Sequence, residues 1–215
     1  MIVRKFLLTC GILSSLIYVC SDILAAVQWK NYSYSSQAIS ELMAINAPTR
    51  PVLILLNTIY GLLIVLFAFA VWKTGSIKSG LKIAGILLVL YAIVGQATLM
   101  FFPMHLRGEE KTITDTMHKI LTAVTVLFIL CAVGFGANAD GRLFRFYSYL
   151  SILVLLVFGL WTGMDAPRID TNLPTPWMGI KERINVYGFM LWVIVFAITL
   201  LQIEKAPGSA NDRHV

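Results

Sequence analysis

The sequence predicts an all-α polytopic membrane protein, a six-transmembrane-helix bundle with both termini cytoplasmic. Three observations carry that reading. Hydrophobic residues make up 58% of the chain and charged residues 13%, with a mean hydropathy of +0.80, far from the soluble balance of roughly half apolar and a quarter charged. Six apolar windows, at residues 6–27, 52–72, 81–102, 117–137, 143–164 and 183–203, are each long enough for a hydrocarbon core of roughly 30 Å. None alternates like a barrel strand, and a backbone in lipid must close its hydrogen bonds inside a helix or a closed barrel. The windows and their connections form one domain over residues 1–205, followed by a disordered tail at 206–215.

The first window opens on "MIVRK" and ends on "ILAAV", but its apolar stretch is longer than a signal-peptide core, so it reads as a span. Ser15, Tyr18 and Asp22 share one of its faces at i, i+3, i+7 spacing. Cys10 and Cys20 lie about 15 Å apart along the helix axis. Too distant to bridge, they read with Cys131 as buried packing residues and give no metal framework. In the following loop, "SSQAISELMAINAP" sets Ala38, Leu42 and Ile45 on one stripe behind a cap at Ser36, which predicts a short amphipathic helix in the membrane interface. The second window carries Asn57 and Tyr60, and the third carries Gln96 shortly before "FFPMH".

The fourth window starts at "DTMH", where Thr114 and Asp115 are N-cap candidates and His118, Thr122 and Thr125 line one stripe. The positive end of the helix dipole disfavours an imidazolium at His118, and a nearby carboxylate favours it. A histidine under such opposing pressures suits a general base or a metal ligand. The fifth window ends with Thr162 and Asp165. Beyond it "MDAPRIDTNLPTPWMG" is too proline-rich for regular structure, with Trp177 as a headgroup-level anchor. The sixth opens on "KERIN", bringing Glu182, Arg183, Asn185 and then Tyr187.

The net charge of +6 is scattered over short loops rather than gathered into a stripe, which points to membrane lipids and excludes nucleic acid as a partner. Nine of the seventeen basic residues (Arg4, Lys5, Lys73, Lys78, Lys82, Arg142, Arg145, Lys205 and Arg213) lie on the side of the termini, in very short loops and tails. Their density near the helix ends places that side in the cytoplasm. The longer loops then face outward, and elaborated loops usually carry function.

Polar side chains facing lipid at depth cost several kcal/mol. Their clustering at the outer end of every window therefore predicts an outward-opening polar pocket. Tyr18, Ser40, Glu41, Asn57, Gln96, Glu182 and Arg183 are its expected ligand-binding residues, for a lipid or other small amphiphile, or in support of a membrane-protein partner or a homo-oligomer. The alternative is an extracytoplasmic-facing hydrolase or transferase with His118 activated by Asp22 or Asp115 and Arg183 gripping an anionic group. His118, His105 and Asp22 are the candidate metal ligands, but no tight ligand pair supports them, and no cofactor is indicated. A transporter is disfavoured by the bare inner halves of the windows.

The segments "SELMAINAPTRP", "FFP" with "DTMH", and "GIKERINVYGFMLW" resemble a bacterial integral-membrane family catalogued as domain of unknown function 998. The resemblance spans nearly the whole chain and implies a multi-pass protein of the bacterial inner membrane. It singles out Ser40, Glu41, Pro48, Pro103, His118, Glu182 and Arg183 as matching positions. Family members often carry glycine where this chain has Asn46.

Overall fold

The structure, a computed structural model, describes residues 2–75 and 79–205. The expected tail at 206–215 lies outside them. Six long helices form the body: α1 (Ile2–Gln28), α2 (Arg50–Thr74), α3 (Ser79–Phe101), α4 (Ile113–Gly136), α5 (Arg142–Gly163) and, after a short α6 (Ala166–Asp170), α7 (Met178–Lys205). Six spans are long and apolar enough to cross a membrane, so the chain is a multi-pass membrane protein. Neighbours in sequence pack against one another, and α7 closes the bundle by packing on both α1 and α5.

Lipid tails are as apolar as leucine, so helix association here rests on close packing rather than on the hydrophobic effect. At the end bearing the termini this packing is aromatic. Trp192 and Phe196 lie with ring centroids 4.7 Å apart, and Phe67 and Phe144 each sit 5.8 Å from Phe196. Glycine makes room for these contacts: a Cβ on Gly136 would meet the Trp192 ring at 2.9 Å, and one on Gly85 would meet the Trp72 backbone nitrogen at 2.7 Å. Two polar contacts link helices at this end. The Trp192 indole donates to Ser148 at 3.0 Å and Arg4 to Thr74 at 2.9 Å.

The loop end departs from the sequence reading in four places. The expected amphipathic helix is a five-residue 3-10 helix (Ile39–Met43), buried rather than lying on the interface. Ser36 does not cap it, because its hydroxyl pairs with Ser33; the Glu41 carboxylate accepts from the Ala38 N–H at 2.8 Å instead. The proline-rich third loop contains the helical turn α6, with Pro167 in its first turn, where the missing N–H costs nothing. The cap of α4 is Thr112, whose side chain accepts from the Thr114 N–H, while Asp115 at N3 reaches back to the Thr112 N–H at 2.9 Å. Finally, Cys10 is buried but Cys20 is exposed, so only one of this pair is the packing residue expected of both.

Asn46 has φ +66°. This is the left-handed region that glycine enters freely and asparagine tolerates best among the other residues. The glycine expected there from the family pattern and the asparagine present here meet the same backbone requirement.

Candidate functional site

Three loops fold over one end of the bundle and are held by ion pairs out of water. Asp22 on α1 and Arg183 on α7 are 2% and 3% exposed. The guanidinium grips the carboxylate with two parallel bonds, Nε to Oδ2 and Nη2 to Oδ1, each 2.8 Å. Its remaining N–H groups are used as well. Nη1 donates to the carbonyls of Tyr34 (2.8 Å) and Gly179 (3.2 Å), and Nη2 to the Tyr32 hydroxyl (3.0 Å). The Tyr34 ring lies 3.6 Å from the guanidinium carbon. Burial pushes the Tyr32 phenol pKa up, keeping it neutral between Arg183 and the carbonyls of Gln37 and Ala38. All five N–H donors of Arg183 are satisfied.

This corrects the expectation that Arg183 grips an anionic group. It also removes Asp22 as a partner of His118, because its Oδ2 accepts a further bond from Tyr187 and both of its oxygens are engaged.

Glu41 is likewise taken. Fully buried, it pairs with Arg107 of the second loop through Nε–Oε2 at 2.7 Å and Nη2–Oε1 at 2.8 Å. Arg107 continues to the Thr175 hydroxyl of the third loop at 2.6 Å, and Thr175 donates to the Ser36 carbonyl of the first loop at 2.7 Å. One guanidinium thus ties all three loops together, and Glu41 is a loop-binding residue rather than a ligand contact. Arg107 was not singled out from the sequence. The available signal was Glu41 itself, an acid in the apolar run "ISELMA" that needs a cation if buried.

Asp115 accepts from the backbone N–H of His105 at 2.8 Å and meets its Nδ1 at 2.7 Å. His105 and Asp115 therefore pin the second loop to the start of α4, and Asp115 orients His105 rather than His118. With Asp22 held by Arg183, the expected metal set of Asp22, His105 and His118 is dispersed. No group of three or more potential ligands is assembled among the described residues.

What remains beneath the loops is a cavity of 650 Å³, lined by residues of all six spans. Tyr18, Asn57, Gln96, His118 and Glu182 all border it, as does Ser40 from the 3-10 helix. His118, Thr122 and Thr125 face it as one stripe, as their spacing requires. Deeper in, Val126, Ile129, Leu155, Phe189 and Met190 make the wall apolar. At the bottom Tyr60 and Tyr91 bond to one another through their hydroxyls.

The His118 Nδ1 lies 2.9 Å from the Phe102 carbonyl, which can only accept, so that nitrogen carries the proton. In the neutral form of the ring Nε2 is then an acceptor. Glu182 accepts the Ile39 N–H on Oε2 at 2.6 Å, and its other oxygen has no partner among the described residues.

No curated protein and no solved structure matches the chain. The family described as "Protein of unknown function (DUF998)" matches residues 12–199, and the chain belongs to that family.

Proposed function

We propose that the protein binds one amphiphile, a membrane lipid or a molecule like it, with its chain in the apolar shaft and its polar end beneath the loops. The cavity carries this reading. Its 650 Å³ falls within the roughly 300–1,000 Å³ of small-molecule sites, and it grades from polar side chains under the loops to an apolar interior. The wall is incomplete along α5: Leu160 borders the cavity yet is 70% exposed, and Leu156 is 41% exposed. A flank open at the level of the hydrocarbon admits a chain sideways from the bilayer.

The density of basic residues at the opposite end supports placing the loops on the outer face of a bacterial inner membrane. The alternative of a hydrolase or transferase built on His118 with Asp22 or Asp115 loses its support, because both carboxylates serve other cations.

Mass spectrometry of the purified chain in mild detergent tests the proposal. A Cβ on Gly95 meets nothing within 4 Å and the residue borders the cavity, so Gly95→Phe fills the space without colliding with backbone. Leu153→Phe, on the exposed face of α5 and away from the cavity, is the control. Wild type and the control should each retain about one tightly held lipid per chain, and Gly95→Phe should retain at least about tenfold less with an unchanged melting temperature. Equal retention by all three sinks the reading.

A further inference from the structure

The charges around the cavity select among amphiphiles. Four cations near the polar end are matched by acids of the protein: Arg183 by Asp22, Arg107 by Glu41, Lys181 by Asp165 and Lys119 by Asp170, while Arg50 spends its guanidinium on the Met43 and Leu99 carbonyls and Arg168 bonds the Pro174 carbonyl. Asp115 is matched by His105. Lys111 spends its ammonium on the His105 and Leu106 carbonyls. Glu182 is the cavity-lining carboxylate left without an ion pair among the described residues. One of its oxygens is fixed by the Ile39 N–H and the other is free. The second group available to a ligand is the Nε2 of His118, also an acceptor.

A half-buried carboxylate without a counter-charge is costly, and a phosphate placed beside it would raise that cost. A donor-rich cation would lower it and satisfy both free acceptors at once.

We infer that the cavity recognises an ammonium group, with Glu182 as its counter-ion and His118 as a flanking acceptor. This rests on the amphiphile-binding reading above and makes an aminophospholipid, rather than an anionic phospholipid, the favoured occupant. The same chemistry is offered by a small water-soluble amine, and the experiment separates the two.

The full chain in detergent is titrated with equimolar phosphatidylethanolamine and phosphatidylglycerol carrying identical acyl chains, and the bound species are counted by native mass spectrometry. One charge-assisted hydrogen bond out of water corresponds to about tenfold in affinity. Wild type should therefore retain phosphatidylethanolamine about tenfold over phosphatidylglycerol. Glu182→Gln preserves the shape and the acceptor for Ile39, and should retain both lipids within about twofold of each other.

Free ethanolamine at millimolar concentration, added with phosphatidylglycerol alone, is the third arm. If it is retained where phosphatidylethanolamine is not, ammonium recognition stands and the source is soluble. Equal retention of the two lipids by wild type, with no ethanolamine bound, overturns the inference and needs no variant to show it. A preference that survives Glu182→Gln overturns it too. Lipid held without headgroup preference leaves the amphiphile reading intact, whereas neither lipid nor ethanolamine held in any arm removes both.

Discussion

Removing the carboxylate of Asp22 is the sharpest test of how the loop end is held together. Asp22→Ala deletes two 2.8 Å bonds from Arg183 and the bond from the Tyr187 hydroxyl, and leaves a guanidinium that is 3% exposed with no counter-charge. Breaking a buried pair from one side costs about 3–5 kcal/mol, because the orphaned charge remains out of water. Arg183→Met should cost a similar amount for the mirror reason. In the double variant neither charge is left alone, so the loss should fall short of the sum of the singles by about 3 kcal/mol.

Reversible unfolding in mixed micelles reads this directly. At roughly 2–4 °C per kcal/mol for a domain of this size, the single variants should melt about 6–20 °C below wild type. Asp22→Asn, which keeps the shape and some hydrogen bonding, should fall between. A loss under about 1 kcal/mol for Asp22→Ala, or a double variant equal to the sum of the singles, would show that the two side chains do not form a desolvated pair.

Three further outcomes are expected. Glu41→Gln weakens the carboxylate that anchors Arg107 and should cost about 1.5–3 kcal/mol, with faster amide exchange over residues 103–112 as the local readout. Gly85→Ala places a methyl against the Trp72 and Ala68 backbones and should destabilise by about 1–3 kcal/mol. Gly95→Ala, with open space at the same atom, should gain up to about 1 kcal/mol; thermal melts that rank these two alanines the other way refute the α2–α3 packing. At Asn46, φ +66° makes glycine neutral or mildly stabilising and valine costly by about 1–2 kcal/mol, which chemical unfolding of the two variants checks.

Much of the architecture was legible because the bilayer is an exacting solvent. It demands helices of a set length, so the windows at 81–102 and 143–164 fall within two residues of α3 and α5. The start of α7 was missed by five residues, since Met178 to Glu182 follow Trp177 in a stretch read as proline-bound loop. The polar faces were legible too, because the helical period alone puts His118, Thr122 and Thr125 together. Partners were not. Asp22 and Arg183 are separated by 161 positions, and nothing in the order of residues favours Arg183 over a histidine as the partner of Asp22. Arg107, in a loop of no regular period, carried no signal of its own.

The order of residues thus settled how many times the chain crosses, which side of each helix avoids lipid, and at which end the polar groups gather. All three follow from periodicity and the cost of exposing polar atoms to hydrocarbon, and both act locally. Which acid neutralises which base, and hence that Glu182 lines the cavity without an ion pair among the described residues, was decided only when the loops folded over the bundle. Ion pairing depends on distances of a few ångströms between atoms remote in sequence, and spacing along a chain does not encode them.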